Sequence, residues 1–287
     1  MESGAVPGAR PGQVTGTLLC LEGRDALALL HRISTQSLLD LAPGQAAATL
    51  FCDFRGRLLH RAIVAVTGDR VVWLLRDDAP ALPLADFLAR FVFREDVRVT
   101  VPREDWSVRL VAGDVGLAPG AVREREGRPH EVQVRPGWAL ALVPPGAPPP
   151  LPALEHARIL AGLPRHGHEI SESFNPYEVG LAPEVHLRKG CYTGQEALMR
   201  LMTYHSVRRR LVRVRGDGLP PDTPHDLHGE GWITSVAPGG EAPGDPGWIG
   251  VAVVRHEAAE PGRELAVGGR TVTIVQAFER LPPLGLS

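Results

Sequence analysis

Residues 189–196 read Lys-Gly-Cys-Tyr-Thr-Gly-Gln-Glu and bring an amine, a thiol, a phenol and a carboxylate into one short stretch. Thr193 and Glu196 have the spacing of a capping box, and Leu198, Leu201 and Met202 continue at helical intervals. This pattern predicts a helix that starts at about Gly194, with Cys191 just ahead of its N-terminus and two residues from Lys189. A helix dipole and a nearby ammonium both stabilise a thiolate, so Cys191 is the cysteine with a reactive setting. Gly190 and Gly194 allow close backbone approach to a ligand or to a neighbouring segment. A turn cysteine that merely packs fits the same spacing, which names no ligand.

The composition points to the same stretch. The chain has 31 basic residues, and all of them except Lys189 are arginine. Asn175 is the single asparagine, Tyr177, Tyr192 and Tyr204 are the only tyrosines, and Met199 and Met202 are the only methionines after the first residue. All seven of these uncommon residues lie between 175 and 204. Core packing would account for Met and Tyr but poorly for a lone Lys and a lone Asn. A position that keeps Lys in an Arg-rich chain uses the compact ammonium, so Lys189→Arg is expected to impair function while sparing the fold. The remaining candidates read as structural. His166, His168 and Glu169 alternate on a loop without a third ligand at metal spacing, and His225-Asp226-Leu227-His228 lies in a Pro-rich loop; both read as solvated, with no metal. Cys20 and Cys52 lie in apolar strands and read as inert core residues.

The elements that position these groups follow from hydrophobic periodicity. With 287 residues, the chain is long enough for two or three compact units. At 44% hydrophobic and 22% charged it has the balance of a soluble protein with a core. A net charge of −2 gives no overall footprint for nucleic acid or an anionic membrane. No apolar run approaches the roughly 18 residues of a membrane span, and the N-terminus lacks the apolar core of a secretory signal. Three scattered cysteines exclude a disulfide framework and point to a reducing cytoplasm. Residues 1–13 read as a disordered tail. Residues 14–206 read as an α+β region with strands at 15–21, 46–52, 58–66 and 70–75 and helices at 25–39 and 84–93. Six prolines in 144–152 read as a stiff connector. From 207 to 287 only strand patterns occur, with a tight hairpin at Gly268-Gly269, and this part reads as a small all-β domain, a barrel or a sandwich.

The octet at 189–196 resembles the signature of the YgfZ-type folate-binding family, which is related to the glycine-cleavage T-protein, an aminomethyltransferase. The resemblance extends to Arg158-Ile159-Leu160-Ala161-Gly162-Leu163-Pro164, to Pro176-Tyr177-Glu178-Val179-Gly180-Leu181, to Arg200, and near the start to Gly23-Arg24-Asp25-Ala26, Ser34-Thr35 and Phe51-x-Asp53-x-x-Gly56-Arg57. It implies two related α+β lobes of antiparallel sheets with helices within 14–206, split near 45–105 and 106–206, plus a C-terminal β-barrel over 207–287, around a central folate-sized cavity. It implies tetrahydrofolate as cofactor and a role in the assembly or repair of iron–sulfur proteins, including tRNA-modifying enzymes. On this resemblance Lys189 and Cys191 are the reactive pair, and Tyr192, Gly194, Gln195, Glu196, Arg200 and Glu178 contact the cofactor. The expected partners are folate and iron–sulfur proteins or their assembly factors, served by a cytoplasmic monomer with no membrane and no direct nucleic-acid contact.

The sequence also departs from the T-protein pattern. Where those relatives carry Gly-Gly-x-x-Asp-Asp, this chain has Gly56-Arg57-Leu58-Leu59-His60-Arg61, without the carboxylate that assists one-carbon transfer. Where they hold the pterin with a glutamate, Leu160 stands here, and Glu155 is too far upstream to replace it. Both departures argue against a working aminomethyltransferase. A one-carbon transferase remains the alternative, with His60 or Asp53 as its candidate base. The run Arg208-Arg209-Arg210 allows a third reading, an RNA contact, or else a contact to the glutamate tail of a folate.

Overall fold

The computed structural model describes residues 16–102, 106–145, 147, 152–241 and 245–285. The tail expected at 1–13 and residues 146 and 148–151 of the Pro-rich connector lie outside these. The first sheet contains β1 (Thr17–Glu22), β2 (Ala46–Cys52), β3 (Leu58–Gly68), β4 (Val71–Arg76) and β5 (Arg98–Thr100), in the order β2-β3-β4-β1-β5 with every pair antiparallel. Helices α1 (Ala26–Ile33) and α2 (Ala81–Ala89) cover one face. The second sheet contains β6 (Ser107–Ala112), β7 (Val122–Arg125), β8 (Arg128–Arg135) and β9 (Trp138–Val143), in the order β6-β9-β8-β7. Successive side chains of a strand point to opposite faces. In β3, Ala62, Val64 and Val66 therefore pack against the helices, while Ile63 and Ala65 meet Val108, Val132 and Leu140 of the second sheet.

Two helices, α3 (Pro152–Leu160) and α4 (Gln195–Thr203), flank an irregular segment that contains a 3₁₀ turn at Ala182–Glu184. The third sheet contains β10 (Arg209–Gly216), β11 (His225–Asp226), β12 (Gly231–Pro238), β13 (Trp248–Arg255), β14 (Glu264–Val267) and β15 (Arg270–Ala277). Its order is β11-β12-β13-β10-β15-β14. The expected barrel does not close: β11 and β14 are the two edges and do not pair among the described residues, so the sheet is an open half-barrel. Its central strand β13 is apolar on both faces. Ile249, Val251 and Val253 join Tyr177, Tyr192 and Leu198 in one core, and Trp248, Ala252 and Val254 form another with Ile274. The helix expected at 25–39 stops at Ile33, where Ser34 turns to extended backbone and its hydroxyl and N–H both donate to the Leu30 carbonyl. No described helix is long and apolar enough to cross a membrane.

Candidate functional site

The α4 end of the octet is set by Gly194. Gly194 is the N-cap of α4 at φ +86°, and a Cβ there would stand 2.5 Å from the Asp53 carbonyl oxygen. Only glycine allows both this backbone and this approach, so the β2–β3 turn and the start of α4 are fitted together at one residue. The expected capping box does not form, because the N-cap is Gly194 rather than Thr193 and no side chain caps the helix. Gln195 Nε2 donates to the Leu187 and Lys189 carbonyls at 2.9 and 3.2 Å and closes the loop from within. Glu196 and Arg200 pair with each other on the exposed side of α4.

Lys189 is 8% exposed. Its ammonium donates to the His31 carbonyl in the last turn of α1 and lies 5.0 Å from the centre of the Tyr192 ring. The last carbonyls of a helix have no partner within it and carry its negative end, so this ammonium caps α1. Burial lowers the Lys189 pKa to about 8. No described contact joins Lys189 to Cys191, which is exposed. The expectation that Lys189→Arg spares the fold is therefore revised: the lone lysine is buried and ties the octet to the first sheet's helix. Asn175 is structural in the same way, with Oδ1 accepting the Tyr177 and Glu178 N–H groups at 3.0 and 3.3 Å. Glu178 is buried and accepts the Asn175 N–H at 3.0 Å and Arg57 at 3.4 Å. Tyr177 and Tyr192 are buried with hydroxyls that have no hydrogen-bond partner among the described residues.

A separate feature lies between the first two sheets and α3, a cavity of about 790 Å³. Ala48 and Ile63 form one wall and Val108, Leu110, Val134 and Leu140 the facing one. None of the octet residues, nor Glu178 or Arg200, lines it. Of its charged groups, Arg61, Glu155 and Arg158 lie in stretches that the sequence singles out, whereas Asp77, Asp78, Arg135 and Glu184 do not. Asp77 and Asp78 follow the end of β4, and burial together with the Asp78 carboxylate pushes Asp77 well above the usual carboxylate range. Arg61 projects from β3 and closes on Glu184 through Nε at 2.8 Å and Nη2 at 2.7 Å. Arg135, at the end of β8, lines the same space within the field of the Glu184 carboxylate, which Arg61 holds. In α3, Arg158 grips Glu155 at 3.0 and 2.6 Å.

The two bases proposed for one-carbon chemistry are not in this cavity. His60 is next to Arg61 in β3 and so points to the opposite, helix-covered face, where it meets Phe87. Asp53 uses Oδ1 to accept the Arg55 and Arg57 N–H groups at 2.8 Å each, which builds the β2–β3 turn. The loop expected to be solvated at 166–169 is instead packed. Glu169 is fully buried and accepts from Thr234 at 2.5 Å, Ser235 at 2.7 Å and the Arg165 N–H at 2.9 Å, joining the cavity wall to the third sheet. No metal-ligating cluster occurs among the described residues. Of the arginine run, Arg209 reaches the Ser173 carbonyl at 3.4 Å and Arg210 the Phe278 carbonyl at 2.8 Å. The adjacent Asp77-Asp78 pair, placed at the end of an apolar strand and before Ala79-Pro80, was the available sequence signal for the cavity.

The fold is that of the glycine cleavage system aminomethyltransferase T from Bartonella henselae, with a TM-score of 0.71 over 91% of this chain and 83% of that one at 16% identity. No family model matches the chain. In sequence it is 33% identical over 134 residues to a chloroplastic protein of Arabidopsis thaliana that carries a transferase name, spanning 46% of this chain and 30% of that protein. It is 28% identical over 148 residues to the aminomethyltransferase of Halothermothrix orenii, spanning 51% of this chain and 40% of the relative. A longer match, 29% identical over 245 residues, is to the mitochondrial iron–sulfur cluster assembly factor IBA57 homolog of Cryptococcus neoformans, spanning 69% of this chain and 64% of that one. The chain thus spans well under half the length of the first two relatives.

Proposed function

We propose that the chain is a folate-binding accessory protein for iron–sulfur protein assembly or repair, working through two separate places on one fold. The cavity that carries the Asp77 and Asp78 carboxylates on one wall and the Arg135 guanidinium on another is the observation behind this reading. Its donor set fits a reduced folate. Asp77 and Asp78 offer acceptors to the N–H edge of a pterin, Arg135 offers a cation to a glutamate tail, and the apolar walls suit the rings between them. The folate supplies, when bound, a carrier for one-carbon units. The likeness to the assembly factor of Cryptococcus neoformans supports the iron–sulfur part of the reading. The exposed Cys191, held at the surface by Gln195 and Gly194, is the group that would meet a client protein.

The alternative of a one-carbon transferase is favoured by one observation, the half-buried Asp77 with its raised pKa at the cavity wall, which could move a proton near neutral pH. Complementation of a strain lacking the protein, scored by iron–sulfur enzyme activity, separates the two. The accessory reading expects Cys191→Ser to fail at an unchanged melting temperature. Full rescue by Cys191→Ser together with failure of Asp77→Asn would favour the transferase.

A further inference from the structure

Arg76 ends β4 with its side chain on the helix-covered face of the first sheet, and it is 3% exposed. Its Nη1 donates to the Pro80 carbonyl at 3.4 Å. Nε and Nη2, the two N–H groups along the side edge of the guanidinium, are buried and have no hydrogen-bond partner among the described residues. The same edge is occupied elsewhere in this chain: Arg61 closes it on Glu184, and Arg213 closes it on Glu241 at 3.0 and 2.6 Å. A guanidinium does not lose its charge, and a buried charged donor without an acceptor is strongly unfavourable. That edge has the geometry of two parallel N–H bonds to two oxygens of one group.

A second unpartnered atom belongs to the same neighbourhood. His60 Nδ1 is also buried without a partner. Its ring lies edge-on to Phe87 and stacks on His166 at 5.9 Å with 5° between planes. Burial first, and then the charges of Arg76, His166 and Arg90, hold His60 neutral, with a pKa of about 3. A neutral imidazole has one N–H to donate. The Asp78 and Asp77 carboxylates act on the Arg76 charge but make no hydrogen bond to its side edge. Asp78 Oδ2 accepts the His166 N–H at 2.5 Å, and Asp77 lines the cavity.

We infer that the side edge of Arg76 and Nδ1 of His60 hold a small oxyanion with two adjacent oxygens, a carboxylate or an inorganic oxyanion, between β3, β4 and the 165–168 loop. The site is distinct from the folate cavity and does not depend on that reading. Its occupant would neutralise Arg76 and fasten the loop that carries Glu169 to the first sheet.

The test is thermal unfolding of the intact protein in millimolar formate or phosphate, against chloride at equal ionic strength. An anion at 100 times its dissociation constant should raise the melting temperature by roughly 5 °C. The rise should vanish in Arg76→Met and shrink in His60→Phe, which keeps the ring contacts. A response to formate assigns the carboxylate class, and a response to phosphate alone assigns the inorganic class. Should Arg76→Met not fold, His60→Phe carries the comparison. A wild-type protein indifferent to both anions, or an equal rise in both variants, would overturn the site.

Discussion

Lys189 carries a charge that its surroundings support only in part. The His31 carbonyl and the Tyr192 ring face the ammonium, yet burial still lowers its pKa from 10.5 to about 8. Between those values the unfolded chain holds a proton that the folded chain has released, so this group makes the protein more stable as pH rises from 8 to 10.5. The effect should be on the order of 1–3 kcal/mol. Denaturant unfolding of wild type and Lys189→Met across this window isolates it, because the buried tyrosines and cysteines titrate alike in both. A wild-type-minus-variant difference that is flat with pH would show that the amine is not buried in charged form. The composition of the chain made Lys189 visible as a residue under constraint. It did not reveal that the constraint includes the end of α1, because His31 is far away in sequence and a carbonyl leaves no mark on composition. Arginine is longer and planar, so Lys189→Arg is now expected to lower stability as well as function.

The loop that presents Cys191 is held at the scale of elements, between α4 and the β2–β3 turn. Gly194→Ala places a Cβ against the Asp53 carbonyl at a backbone angle that alanine resists, and it should cost about 1–3 kcal/mol. Urea unfolding reads this directly, and a loss below about 0.5 kcal/mol, the level of a neutral surface change, would mean that the turn yields freely. The helix start near Gly194 was legible in the sequence, but the capping box was not the device used. A glycine approach fixed by a distant carbonyl took precedence over the local side-chain cap. Strand alternation in β3 was also legible, and it separates His60 from Arg61. Which of the two met the cavity depended on which face the second sheet would cover, and that is settled only by Ile63 and Ala65 packing on Val108 and Val132.

The whole molecule separates the surface thiol from the internal cavity. The sequence was read with both in one patch, because the octet was the clearest signal and the cavity was expected around it. A mixed region of helices and antiparallel strands followed by an all-β part was legible from periodicity, whereas the first sheet reaches back to β1, ahead of the expected lobe at 45–105, and the last sheet stays open. Part of the cavity was legible through the motif stretches that supply Arg61, Arg158, Gly162, Pro164 and Gly180, but Asp77, Arg135 and Glu184 were not, because they come from three distant segments that share no spacing. Calorimetric titration of the intact protein with tetrahydrofolate is the most direct measurement of the central claim. Wild type and Cys191→Ser are expected to bind with the same affinity, and Asp77→Asn and Arg135→Leu to bind at least about tenfold more weakly, the equivalent of about 1.4 kcal/mol each. Absence of binding to wild type, or a loss on Cys191→Ser with the cavity variants unaffected, would contradict it.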